Sequence, residues 1–162
     1  MKIWKLMTSL AAAFVLVFGA STIAQTGATV SFPEYYRTWV HVKTTVIGPR
    51  SPNFTRNGGM HLFYANEGAV EGYRTGKFPD GAILVDDLLD AKEAEGVTRG
   101  GARRRVAVMV KDPARFPETG GWGFEIFVGE ERSKGSLTAE GKAACFACHQ
   151  KGRDAVFSKF PE

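Results

Sequence analysis

From Arg37 to Ile47 the chain reads RTWVHVKTTVI, and apolar and polar positions alternate along it. That period of two, rich in β-branched residues, predicts a strand with Val40, Val42 and Val46 on one face and Trp39, His41 and Lys43 on the other. GPRSPNFTRNGG reads as a loop by its Gly, Pro and Asn content, and MHLFYA resumes an extended pattern. In NEGAVEGYRTG, Asn66 suits an N-cap, Glu67 the first turn, Arg74 the last turn and Gly76 the C′ position, which predicts a short helix. GAILVDDLL and RRRVAVMVKD read as two more strands, the arginines Arg103 to Arg105 opening the second as a solvated start.

DPARF predicts a helical turn with Asp112 as N-cap and Pro113 at the first helical position. GGWGFEIFVG reads as a strand whose glycines let something bulky approach the backbone. SLTAEGKAACFACHQ has a helix-forming composition with Ser136 as its expected cap. The sum is an α+β fold, an antiparallel sheet of four to six strands with short helices and a C-terminal helix.

That last helix carries the chain's only two cysteines, Cys145 and Cys148, with His149 directly after them. C-x-x-C-H is the attachment signature of haem c: two thiols add across the porphyrin vinyl groups, and the adjacent imidazole binds iron. Zinc would want four ligands, and the other histidines, His41 and His61, are isolated far upstream. A thioredoxin-like pair follows a strand in a βαβ pattern, whereas this motif lies late in the chain. A disulfide across two intervening residues closes too short a loop to constrain the unfolded chain much. The expected cofactor is therefore covalently attached haem c, with Cys145 and Cys148 as thioethers and His149 as the iron ligand. A haem held against a sheet needs apolar cover, and Phe54, Phe63, Phe78, Phe116, Trp122, Phe124 and Phe127 are available, one or two of them to cap the iron.

The N-terminus points the same way. MKIWK is a short basic start, and LMTSLAAAFVLVFGA is an apolar run of signal-peptide length ending in small residues, with a cleavage site near Ala24. The alternative is an uncleaved N-terminal anchor. Cleavage would leave residues 25–162 as a single domain and export it to the periplasm, with no membrane attachment afterwards. It would also remove Lys2 and Lys5, so the formal charge falls from +4 to +2. With no basic stripe interleaved with aromatics, nucleic acid is not an expected partner.

Four stretches carry a family resemblance: FPEYYRTWVHVKTTVIGP, HLFYANEGAVEGYRTGKFPDGA, VMVKDPARFPETGGWGFEIF and CFACH. Together they resemble the cytochrome P-460 and cytochrome c'-beta family from about Phe32 to Phe160. The resemblance implies a periplasmic homodimer with histidine-ligated, five-coordinate haem. Members of one branch oxidise hydroxylamine and carry a lysine cross-linked to the porphyrin, and members of the other bind nitric oxide and carbon monoxide beneath a phenylalanine-lined cap.

Three positions depart from the hydroxylamine-oxidising branch. Asp86 stands where that branch has its cross-linking lysine, Ala107 where it has a proton-relaying glutamate, and His61 where it has an arginine. Lys77 and Lys92 flank the strand but do not match the lysine position. The expectation is thus an open iron site that binds nitric oxide and related small nitrogen species. The alternative is an oxidoreductase acting on hydroxylamine or nitric oxide, with His61 and Asp86 as its candidate catalytic residues. A soluble electron-transfer partner is compatible with either. Simple electron transfer is the weaker third reading, because it wants a second iron ligand, and Met60 and Met109 are more simply read as core.

Overall fold

The computed structural model describes residues 28–160, so the expected leader and its cleavage site near Ala24 lie outside the described residues. Five strands, β1 (Val40–Ile47), β2 (Gly59–Ala65), β3 (Ile83–Ala94), β4 (Val97–Lys111) and β5 (Trp122–Val128), form one antiparallel sheet in chain order. Three α-helices accompany them: α1 (Phe54–Asn57), α2 (Glu67–Thr75) and α3 (Ala139–His149). This is the expected α+β architecture. No helix among the described residues is long and apolar enough to cross a membrane.

Each face of the sheet is covered by different parts of the chain. On one face Val42, Ala65, Leu84, Trp122 and Phe124 pack with Ala69 of α2, with Cys145 and Phe146 of α3, and with Ala155 and Val156 of the C-terminal segment. On the other, Val85, Val106, Val108 and Phe127 pack against Val30, Phe32, Tyr36 and Trp39, which precede β1. Alternation along β3 therefore sends Asp86 and Asp87 to opposite faces. Asp87 is fully buried, accepting from Tyr36 Oη at 2.6 Å and paired with Arg37 and Arg103.

Helix α2 begins and ends as its sequence predicts. Asn66 Oδ1 accepts from Ala69 N at 2.9 Å, and Gly76 closes the helix with φ +77°, where a side chain would be strained. Other boundaries differ from expectation, each for a local reason. The loop after β1 contains the single turn α1. Arg103 to Arg105 lie inside β4, not at its start, because Glu95 and Gly96 (φ 53° and 75°) make a two-residue hairpin turn that extends both strands. Asp112 caps the expected single turn, accepting from Arg115 N, but the turn does not lengthen into an α-helix: Phe116 departs from helical geometry, Pro117 has no N–H to continue the ladder, and only a 3-10 turn, Pro117–Thr119, follows. The cap of α3 is Thr138, whose Oγ1 accepts from Gly141 N; Ser136 instead binds Ile126 O with both N and Oγ, fastening the chain to β5.

The most consequential difference is in β1. Its register against β2 shifts between His41 and Lys43, a bulge at Val42. Val42 stays in the α2/α3-side core, but beyond the bulge the faces exchange, so Lys43 opposes Phe63 and Val46 is left exposed. The regular alternation read from the sequence places Lys43 on the wrong face.

Candidate functional site

Helix α3 packs on β5 and holds Cys145, Cys148 and His149 within its last turn. Residues three and four apart share a helix face, so both thiols and the imidazole are presented together. Both cysteines are free. Burial, with the neighbouring Cys148 adding to it, pushes the Cys145 thiol up from its ordinary value and keeps it neutral.

His149 is held in one tautomer. Its Nδ1 lies 2.9 Å from Ala155 O, and a carbonyl only accepts, so Nδ1 carries a hydrogen and Nε2 is the nitrogen left for a ligand bond in the neutral ring. Ala155 O is held there by a strained turn in which Asp154 and Ala155 both have positive φ (45° and 62°). Asp154 anchors that turn, accepting from Lys111 Nζ at 2.7 Å and from Phe78 N at 2.8 Å. Burial works against the charged carboxylate, but Lys111 and the Phe78 N–H outweigh it and hold Asp154 below the usual carboxylate range.

Cys145 and His149 open onto a cavity of about 300 Å³ between the sheet and the C-terminal segment. One cross-strand row spans its sheet wall: Lys43, Phe63, Asp86, Ala107 and Ile126, one residue from each strand and each opposite the next. Met109 and Phe124 line it as well. Of the aromatics expected to cover the site, Phe63 and Phe124 reach the cavity; Phe78 and Trp122 sit in the core on the same side of the sheet, Phe116 and Phe127 pack on the far face, and Phe54 is exposed.

His61 and Asp86 are brought together, with the carboxylate in front. Asp86 lines the cavity, while His61 is buried beside it on β2 with its ring parallel to Phe63. His61 Nδ1 is 2.9 Å from both Asp86 oxygens, and Nε2 is 2.7 Å from Asn57 O. Both ring nitrogens thus face oxygens, and the doubly protonated ring satisfies both. Burial disfavours that charge, but Asp86 and the Asn57 carbonyl outweigh burial, so His61 holds its proton above its ordinary range. Asn57 is fixed in turn, its Oδ1 accepting from Arg105 Nη2 at 2.9 Å.

A family model described as Cytochrome P460 matches residues 33–158. The chain belongs to the cytochrome P460 family. No curated protein matches it. Membership makes this a cytochrome with a haem cofactor, and the donor set fits one: the Cys145 thiol and the His149 imidazole line a largely apolar cavity, and the free Cys148 thiol stands exposed on the same helix. Of the residues that line or adjoin this cavity, sequence reasoning had named Cys145, His149, His61, Asp86 and Ala107. It missed Lys43, which a bulge without a sequence signature turned inward, and the clamp on His149. Asp154 offered a faint signal for the clamp, since Asp tolerates positive φ better than most residues.

Proposed function

We propose that this chain is an exported c-type haem protein whose open iron site binds small neutral ligands, nitric oxide and carbon monoxide among them. In this reading Cys145 and Cys148 carry the thioether links and His149 Nε2 is the iron ligand. The bound haem supplies an iron with one coordination position free. Ala155 O orients the imidazole and strengthens it as a donor through Nδ1. Phe63, Ala107 and Ile126 line the cavity's sheet wall and keep water from it. The observation that carries the reading is the apolar middle of this wall, Phe63, Ala107 and Ile126: the carboxylate between them, Asp86, is already engaged by His61, so an uncharged diatomic enters there without stripping Asp86 of its partner. Export to the periplasm and assembly as a homodimer belong to the same proposal, supported by the leader-like N-terminus and by the family resemblance.

A second reading has its own observation. Asp86 is a carboxylate on the cavity wall backed by a protonated imidazole, and such a pair can take up and hand on protons. That arrangement suits an oxidoreductase acting on hydroxylamine, with an external electron acceptor.

Expression in a host competent for haem c attachment tests both. The expected outcome is a mature mass raised by one haem, an ordinary haem c spectrum when reduced, and ready binding of carbon monoxide and nitric oxide by the ferrous protein. Hydroxylamine with an artificial acceptor should turn over slowly or not at all. A mature protein without haem mass overturns the proposal, and rapid hydroxylamine turnover replaces the binding protein with the enzyme.

A further inference from the structure

The charges around the cavity do not balance. Among the residues lining it, each carboxylate is already engaged: Asp86 accepts from His61, and Glu125 accepts from Leu137 N at 2.8 Å and pairs with Lys142 at 3.3 Å. Lys43 lines the same cavity, is half-buried, and has no carboxylate partner among the described residues. Its Nζ lies over the Phe63 ring, 5.2 Å from the centroid, a contact that leaves all three N–H donors without an anionic acceptor. A half-buried ammonium at an apolar wall is costly to hold unpaired.

Its position says which anion would answer it. β1 and β5 are opposite edges of the sheet, four interstrand spacings or roughly 19 Å apart. The cysteines sit on α3 against β5, and Lys43 sits on β1, at the two ends of one continuous cavity. A porphyrin tethered through its vinyl edge to Cys145 and Cys148 turns its carboxylate edge away from α3. We infer that Lys43, carried inward by the bulge at Val42, is the anchor for a haem carboxylate at the end of the cavity remote from the cysteines. This inference rests on the haem reading of the cavity. The chemistry Lys43 recognises is an oxyanion, which a diffusible ion such as nitrite would share, so the test separates the two sources.

Lys43→Gln and Lys43→Arg holoproteins are compared with the native one by intact mass, by reduction potential across a pH series, and by nitrite titration of the ferric form. Removing a cation beside the haem favours the oxidised state, which carries one more positive charge. The potential of Lys43→Gln should therefore fall. The haem carboxylate, deprived of its partner, should also hold its proton to higher pH, so the pH-linked step in potential moves upward. Lys43→Arg should restore both, and nitrite affinity should be the same in all three proteins. An unchanged potential and pH step in Lys43→Gln overturns the inference while leaving the haem reading intact. So does a several-fold loss of nitrite affinity with the potential unmoved, which assigns Lys43 to a diffusible anion. Absence of haem from the native protein removes the cavity reading and this inference together.

Discussion

Asp86 and Asp87 are neighbours with opposite duties, separated only by the pleat of β3. Asp87 is enclosed with Tyr36, Arg37 and Arg103, and the Arg103 side chain is only 7 % exposed. Replacing Asp87 with Ala leaves a buried guanidinium without its main counter-charge, which costs about 3–5 kcal/mol. Urea unfolding of Asp87→Ala should show a loss of that size, and a loss below about 1 kcal/mol would mean that Glu130, which also meets Arg103, carries the site. His61 gives a pH-dependent counterpart. Its folded-state pKa is raised above the ordinary 6.5, so its contribution to stability is fully present below that value. It is lost as pH rises through the folded pKa. The stability gap between the native protein and His61→Gln should thus be widest in mild acid and narrow toward alkaline pH. A gap that widens with pH would mean that the ring is neutral in the fold.

At the scale of elements, the sequence was most legible where one residue decides one boundary. Asn66 and Gly76 bracket α2 because a side-chain acceptor and a left-handed glycine act locally, and both are visible in the letters alone. The bulge at Val42 was not legible, because register is chosen by the pairing of β1 with β2 and not by β1 itself. The same holds for the cap of α3, where Ser136 is the expected cap until β5 claims the serine and leaves the role to Thr138. The candidate site divides the same way. C-x-x-C-H announces its own chemistry, whereas the turn that orients His149 depends on Lys111, Phe78 and Trp122 converging on Asp154 from three parts of the chain. That clamp makes a testable statement about α3. Asp154→Ala frees Lys111 and loosens the turn carrying Ala155 O, so the holoprotein should bind carbon monoxide with mixed kinetics and a broadened Soret band. Asp154→Asn, which keeps one acceptor for the Phe78 N–H, should lie between the two. Native-like spectra from Asp154→Ala would show that the Nδ1 bond is set by α3 alone.

Across the whole molecule, one sheet carries hydrophobic core on both faces and, on the face that α3 covers, the wall of the cavity as well. The central position of that wall is Ala107, directly opposite Asp86 on β3 and Ile126 on β5. Side chains at paired positions of adjacent strands lie about 4.5–5.5 Å apart at Cβ. A glutamate at 107 would therefore stand beside Asp86, and two carboxylates at that distance do not both ionise freely. The pair should retain a proton to higher pH than either acid alone. By the same linkage, Ala107→Glu should lose stability relative to the native protein as pH rises through that raised pKa. The added acid also makes the wall polar, so carbon monoxide affinity should fall, and it supplies a second proton acceptor beside the iron site. If the native protein is a binding protein because its wall lacks that acceptor, Ala107→Glu should gain hydroxylamine turnover over a native background near zero. Weaker carbon monoxide binding without any gain in turnover would mean that proton acceptance is not what holds the native protein back. The difference would then lie in the porphyrin's own electronics, which no residue of this wall supplies.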